Sequence, residues 1–251
     1  MARKKQEVKE NIENTDQVKK FIDDLKVKDV PLRLAAVKGL REFACPTSVE
    51  PLIDLLKNCL HFNSRRETAI EIIHTLGAIP TPESLAGITL ALDKSTHYQL
   101  QKSVIEVLGL YKFSNATTLL TNIAMDQKQT MDIRIKCVES LIDHGKMDFI
   151  RNLFKVYYSA NINAEESLKD LALSRILADK DRCLEILRKD LDGKNENRKK
   201  VAMMLIGELG EGSFLDRLKL FIKDTPGSEL AKLAAETIIL VRLLQFEKGE
   251  N

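Results

Sequence analysis

The chain has 251 residues, 44% hydrophobic and 30% charged, a balance that excludes a disordered polymer. Leu, Ile, Ala, Lys and Glu dominate, Trp is absent, and 11 Gly and 6 Pro are too few for a many-stranded sheet. The net charge of +2 is evenly spread, with 17 basic and 15 acidic residues in 1–125 and 22 of each in 126–251, so neither half has the basic excess usual in a nucleic-acid binder.

Residues 1–14 are basic, then acidic, and are expected to be loose; they lack the apolar stretch of a signal peptide. A lone helix is expected at 15–27. A period then sets in. Small residues recur at Ala36, Ala69, Ser103, Cys137, Ala172, Ala202 and Ala235, at steps of 33, 34, 34, 35, 30 and 33. Four residues after each stand Leu40, Ile73, Val107, Leu141, Ile176, Ile206 and Ile239, all apolar, which describes one buried helix face.

The period predicts seven first helices, near 30–43, 65–76, 97–110, 131–144, 165–178, 196–209 and 228–246. Second helices are predicted near 47–58, 82–92, 115–125, 147–159, 181–190 and 213–223. Ser64–Glu67, Thr96–Gln99 and Thr47–Glu50 have capping-box spacing, with Asn163–Glu166 a near variant. In Thr81-Pro82 a cap precedes proline at the first helical position. Gly77, Gly145 and Gly210 fall just past first helices, where a left-handed residue ends a helix. No linker interrupts the period, so 15–251 are expected to form a single repeat domain, with repeats from about 28.

The pattern resembles the short bacterial HEAT repeat, the type related to phycobilisome-lyase repeats. A basic residue three before the small anchor belongs to that pattern and stands here as Arg33, Arg66, Arg134, Lys169, Lys199 and Lys232; Leu100 departs from it. The family's Leu-Gly step appears as Leu76-Gly77 and Leu209-Gly210, and partly as His144-Gly145. The resemblance covers about 28–246. It implies an all-α fold, a right-handed α-α superhelix (solenoid) of about seven HEAT-like helical hairpins. Repeat five departs most, ending in Ala178-Asp-Lys-Asp181 without the glycine.

Catalytic patterns are few. The four cysteines, Cys45, Cys59, Cys137 and Cys183, form no CxxC pair and sit among apolar neighbours, as buried thiols of a reducing compartment would. His61, His74, His97 and His144 are not followed by Glu, so the His-Glu metal pairs of HEAT-like hydroxylases are not matched. Tyr157 and Tyr158 are neighbours and point about 100° apart on a helix, which makes no stacking platform for nucleic acid. Gly207, Gly210 and Gly212 mimic a dinucleotide fingerprint, but inside a helix and with no strand before it. The cluster Lys194–Lys200 reads as a solvated turn, with a phosphate or acidic-partner contact as the sharper alternative. No cofactor or metal is expected. No apolar run reaches the roughly 18 residues of a membrane span, and a cytoplasmic protein is expected.

The resemblance implies that second helices line the concave side. Side chains left over once each second helix buries its apolar stripe are candidate contacts: Asp54, Thr118, Thr121, Asn122, Arg151, Lys155, Tyr158, Arg188, Lys189 and Lys219. They run from mixed or acidic, through neutral, to basic, with acidic residues on first helices expected to balance the basic end. The leading expectation is a protein–protein interaction scaffold that is not an enzyme, its partner another protein with an acidic segment. The alternatives are an enzyme or enzyme subunit of the phycobilin-lyase kind, which attaches a pigment to a partner protein, and a nucleic-acid binder. The stretch Ile238–Leu244 is apolar on more than one face, and is either covered by the preceding repeat or a docking surface.

Overall fold

The computed structural model describes residues 14–94, 97–111, 114–141 and 147–249. The expected looseness of 1–14, the Thr96 cap and the Gly145 turn fall on or beyond the edges of those residues. The described residues form helices and no strands. Packing divides the chain into two compact units, Met1–His144 and Gly145–Asn251.

The first unit holds α1 (14–24), α2 (Val30–Phe43), α3 (Val49–Leu60), α4 (Arg66–Ala78), α5 (Pro82–Lys94), α6 (Tyr98–Leu110), α7 (Ser114–Met125) and α8 (Met131–Ser140). The first helices α2, α4, α6 and α8 pack each on the next, while α3 packs on α4 and α5, and α7 on α6 and α8. The second unit holds α9 (Met147–Ile162), α10 (Glu166–Leu177), α11 (Lys180–Asp192), α12 (Glu196–Leu209), α13 (Leu215–Asp224) and α14 (Glu229–Glu247). There α9 packs on α10, α11 on α12, and α14 on both α12 and α13. Consecutive helix pairs are therefore the building unit in each.

The anchor column explains this packing. Ala36, Ala69, Ser103, Cys137, Ala172 and Ala202 are all buried, and so are Leu40, Ile73, Val107, Leu141, Ile176 and Ile206 four residues later. A small side chain lets the neighbouring helix approach, and the aliphatic one fills the layer. The seventh anchor needs correction. In α14 the buried face is Ala231, Ala234, Thr237 and Val241, whereas Ala235 is half-buried and Ile239 is 58% exposed. Thr237 Oγ1 donates to Met203 O at 3.3 Å, as Thr75 Oγ1 donates to Val37 O at 3.2 Å. Thr237 thus takes the place of Thr75, and Ala231 that of Ala69, one turn before the expected anchor.

The basic column also has a physical role. Arg33 Nη1 donates to Val27 O at 3.3 Å and Arg134 Nε to Ala124 O at 2.8 Å, each reaching a carbonyl of the segment before its own helix. Helix starts are capped by Asp29, Thr81, Asp179, Asn195 and Ser228, whose side-chain oxygens accept from backbone N–H groups three residues on. The boxes at Thr47, Ser64 and Asn163 do not form. Short 3-10 turns, Pro46–Ser48 and Asn63–Arg65, precede α3 and α4, and α10 starts from Glu165 without a side-chain cap. Gly210 ends α12 at φ 65°, as expected, but Gly77 lies inside α4. A Cβ on Gly77 would sit 2.5 Å from Val107 Cγ1, so this glycine serves close approach of α4 and α6.

Candidate functional site

The ten candidate contacts divide between the units. In the first, Asp54 is exposed on α3 and accepts from Lys57 Nζ at 2.9 Å. Thr118 and Asn122 are exposed on α7. Thr121 is corrected: it is 1% exposed, and its Oγ1 donates to Thr117 O at 2.8 Å inside α7. The buried stripe of α7 is Ala116, Leu120, Thr121, Ile123 and Ala124, turned by part of a residue step from the expected Leu119, Leu120 and Ile123. A hydroxyl satisfied by its own helix costs little to bury, so Thr can occupy a core position.

In the second unit the basic side chains are mostly paired. Arg151 of α9 donates to Asp190 Oδ1 of α11 at 2.8 Å, and Asp190 is 5% exposed, so Arg151 ties two helices together. Lys189 donates to Glu185, and Lys219 donates to Asp216 at 2.7 Å, while Arg217 pairs with Asp192 at 2.6 Å. Those hydrogen bonds hold the Glu185 and Asp216 carboxyls below their usual range. The balancing acids therefore stand on the second helices themselves, not on the first helices as expected. Lys155 donates to the Asn152 amide oxygen at 3.2 Å, and the Arg188 guanidinium lies 5.4 Å from the Phe214 ring centroid. Tyr158 is half-buried. On α13 only Leu218 is fully inward, with Ile222 exposed rather than buried as expected.

Pairs of this kind, exposed and within one helix, are weak in water and open readily. Lys155, Arg188, Lys189 and Lys219 can thus exchange their present contacts for those of a partner. Arg151 cannot do so without stranding a buried carboxylate.

The first unit also holds a groove that sequence reasoning missed. Pro82, Leu85, Ala86, Thr89, Leu90 and Asp93 of α5, with Asn115 of α7, line an open cavity of about 450 Å³. The signal was present in α5. Ser84, Gly87, Ile88 and Ala91 bury one face, leaving Leu85, Ala86 and Leu90 as apolar side chains on the other. Apolar walls with a few polar groups at one end are the usual make-up of a binding groove.

No helix among the described residues is long and apolar enough to cross a membrane. No curated relative matches the chain. Among solved structures, the complex of CpcE and CpcF of phycocyanin lyase from Nostoc sp. PCC7120 is similar at 16% identity and a TM-score of 0.38, over 88% of this chain and 93% of that one. A likeness so distant fixes nothing about the chemistry of this chain. A family model, the PBS lyase HEAT-like repeat, matches residues 32–58, which span most of α2 and α3. That match to a lyase repeat overturns the expectation that the chain is not an enzyme. The expectation rested on missing motifs, and a helical surface can carry reactive groups at spacings no loop motif describes. Residues 32–58 thus form a PBS lyase HEAT-like repeat, the kind that the register of the whole array resembles.

Proposed function

We propose that this protein is a lyase-like HEAT-repeat protein, an enzyme or enzyme subunit that acts on another protein held against its second helices. The observation that carries the reading is the PBS lyase HEAT-like repeat at 32–58, set in an array whose buried column repeats the same register. Two surface features support it. The groove between α5 and α7 offers an apolar slot with Asp93 and Asn115 in its lining. In the second unit, Lys155, Arg188, Lys189 and Lys219 offer exposed cations for an acidic segment of the acceptor protein. Asp54 on α3, Thr118 and Asn122 on α7, and Tyr158 on α9 would add polar contacts.

The test is transfer. Purified chain is mixed with apo-phycocyanin and its open-chain tetrapyrrole, and covalent pigment on the acceptor is read after acid-urea denaturation. Chain-dependent colour on the acceptor is expected, reduced by Lys155→Glu, Arg188→Glu and Lys219→Glu together. If the acceptor stays colourless and the chain retains neither acceptor nor pigment on a sizing column, the reading falls.

A further inference from the structure

Helix α14 buries one face on α12 and α13 and leaves the other bare. On the bare face Ile239, Leu240, Leu243 and Phe246 are 58, 49, 54 and 75% exposed. Ile239, Leu243 and Phe246 follow a four-three spacing, which is the seam of a two-stranded coiled coil. Leu240 widens the seam on one flank. Glu236 and Lys232, both exposed, end it on the N-terminal side. The face is thus a bounded apolar stripe about two helical turns long.

The charges beside the stripe say what covers it. Arg242 stands on one flank and Glu247 on the other, and both are exposed. Neither Arg242 nor Glu247 forms an ion pair within the described chain. In an antiparallel pair of such helices each flank faces its own copy. That would set Arg242 beside Arg242. In a parallel pair the Arg242 flank of one copy faces the Glu247 flank of the other. Their separation, five residues, is the spacing at which flanking charges meet across a parallel two-stranded coil. The contact repeats by two-fold symmetry, giving two such ion pairs around an Ile239, Leu243 and Phe246 core. A two-fold closed contact of this type stops at the dimer.

We infer that the exposed face of α14 pairs in parallel with the same face of a second copy of this chain. The seam is only about two turns long, short beside the roughly 800 Å² per partner of a standard interface, so a weak, concentration-dependent dimer is expected. This inference does not depend on the proposed lyase-like function.

Sedimentation equilibrium of the full chain tests it, at concentrations from about 1 μM to about 1 mM. The parent is expected to show a monomer–dimer equilibrium, and Leu243→Glu to sediment as a monomer. Arg242→Glu should weaken the dimer about fivefold by setting like charges opposite, and adding Glu247→Arg should restore it. All three sites are exposed, so the helical circular dichroism and melting of each variant should match the parent. A parent that stays monomeric throughout overturns the inference. So does a Leu243→Glu variant that dimerises like the parent, or a double reversal no stronger than Arg242→Glu alone.

Discussion

Arg151 and Asp190 carry opposite charges on different helices, and only the arginine has access to water. Removing Arg151 leaves the Asp190 carboxylate buried without its donor, which costs more than the pair contributes. Arg151→Ala is therefore expected to destabilise the second unit by about 2 kcal/mol, read as a lower urea midpoint. Arg151→Leu with Asp190→Ala should recover much of that loss, because neither leaves a buried charge without its partner. A single variant as stable as the parent would make the ion pair incidental. Cysteines offer a second reading at this scale. Cys59, Cys137 and Cys183 are buried, and burial pushes their thiols up, while Cys45 is half-buried before a short turn. Native alkylation followed by intact mass should add one group, at Cys45, and unfolding should admit all four. Extra adducts on the native protein would mean that a buried site opens.

At the scale of the helix, α4 gives the sharpest test, because two of its small residues face neighbours. Gly→Ala inside a helix ordinarily gains about 1 kcal/mol. Gly77→Ala should instead lose about 1–3 kcal/mol, since its new methyl would meet Val107 at 2.5 Å. Ala69→Leu should cost a similar amount, about 1–3 kcal/mol, whereas Ala235→Leu on the half-buried side of α14 should cost well under about 1 kcal/mol. Equal losses at Ala69 and Ala235 in thermal melts would restore the register read from sequence. First helices α4 and α6 were legible because another first helix packs on each side of them, so their apolar column is strict and its period survives drift in spacing. Second helices are covered mainly on one side, and a hydroxyl such as Thr121 can enter the core by bonding its own helix. That is why the side chains of α7 were misplaced by a fraction of a turn and the α5 groove went unseen. Caps failed where 3-10 turns absorbed the donors that Thr47 and Ser64 would have served.

Over the whole molecule the fold was written in the period, because each repeat must match its neighbour. The proposed contact surface was not, since the pairing of exposed charges such as Lys219 with Asp216 follows no period. One property of the whole chain does follow from its buried groups. Burial raises the Cys137 and Cys183 thiols from 9.0 to about 12, and the Tyr111 phenol from 10.0 to about 12. Each is neutral when folded and would be charged when unfolded at alkaline pH, so the folded state holds the proton more tightly. The stabilising contribution is complete below about pH 9 and is lost as pH rises from about 9 towards 12. Each such group lowers stability by up to about 1.4 kcal/mol per pH unit in that window. Both units contain one of these thiols, so both are expected to weaken together. The urea midpoint should hold steady between about pH 7 and 8.5 and fall steeply by about pH 10.5. A Cys137→Ala, Cys183→Ala variant should start lower, through lost packing, but fall less across the same range. An equal fall in parent and variant would place the alkaline loss outside the two thiols, in the buried Tyr111 phenol or the lysine ion pairs.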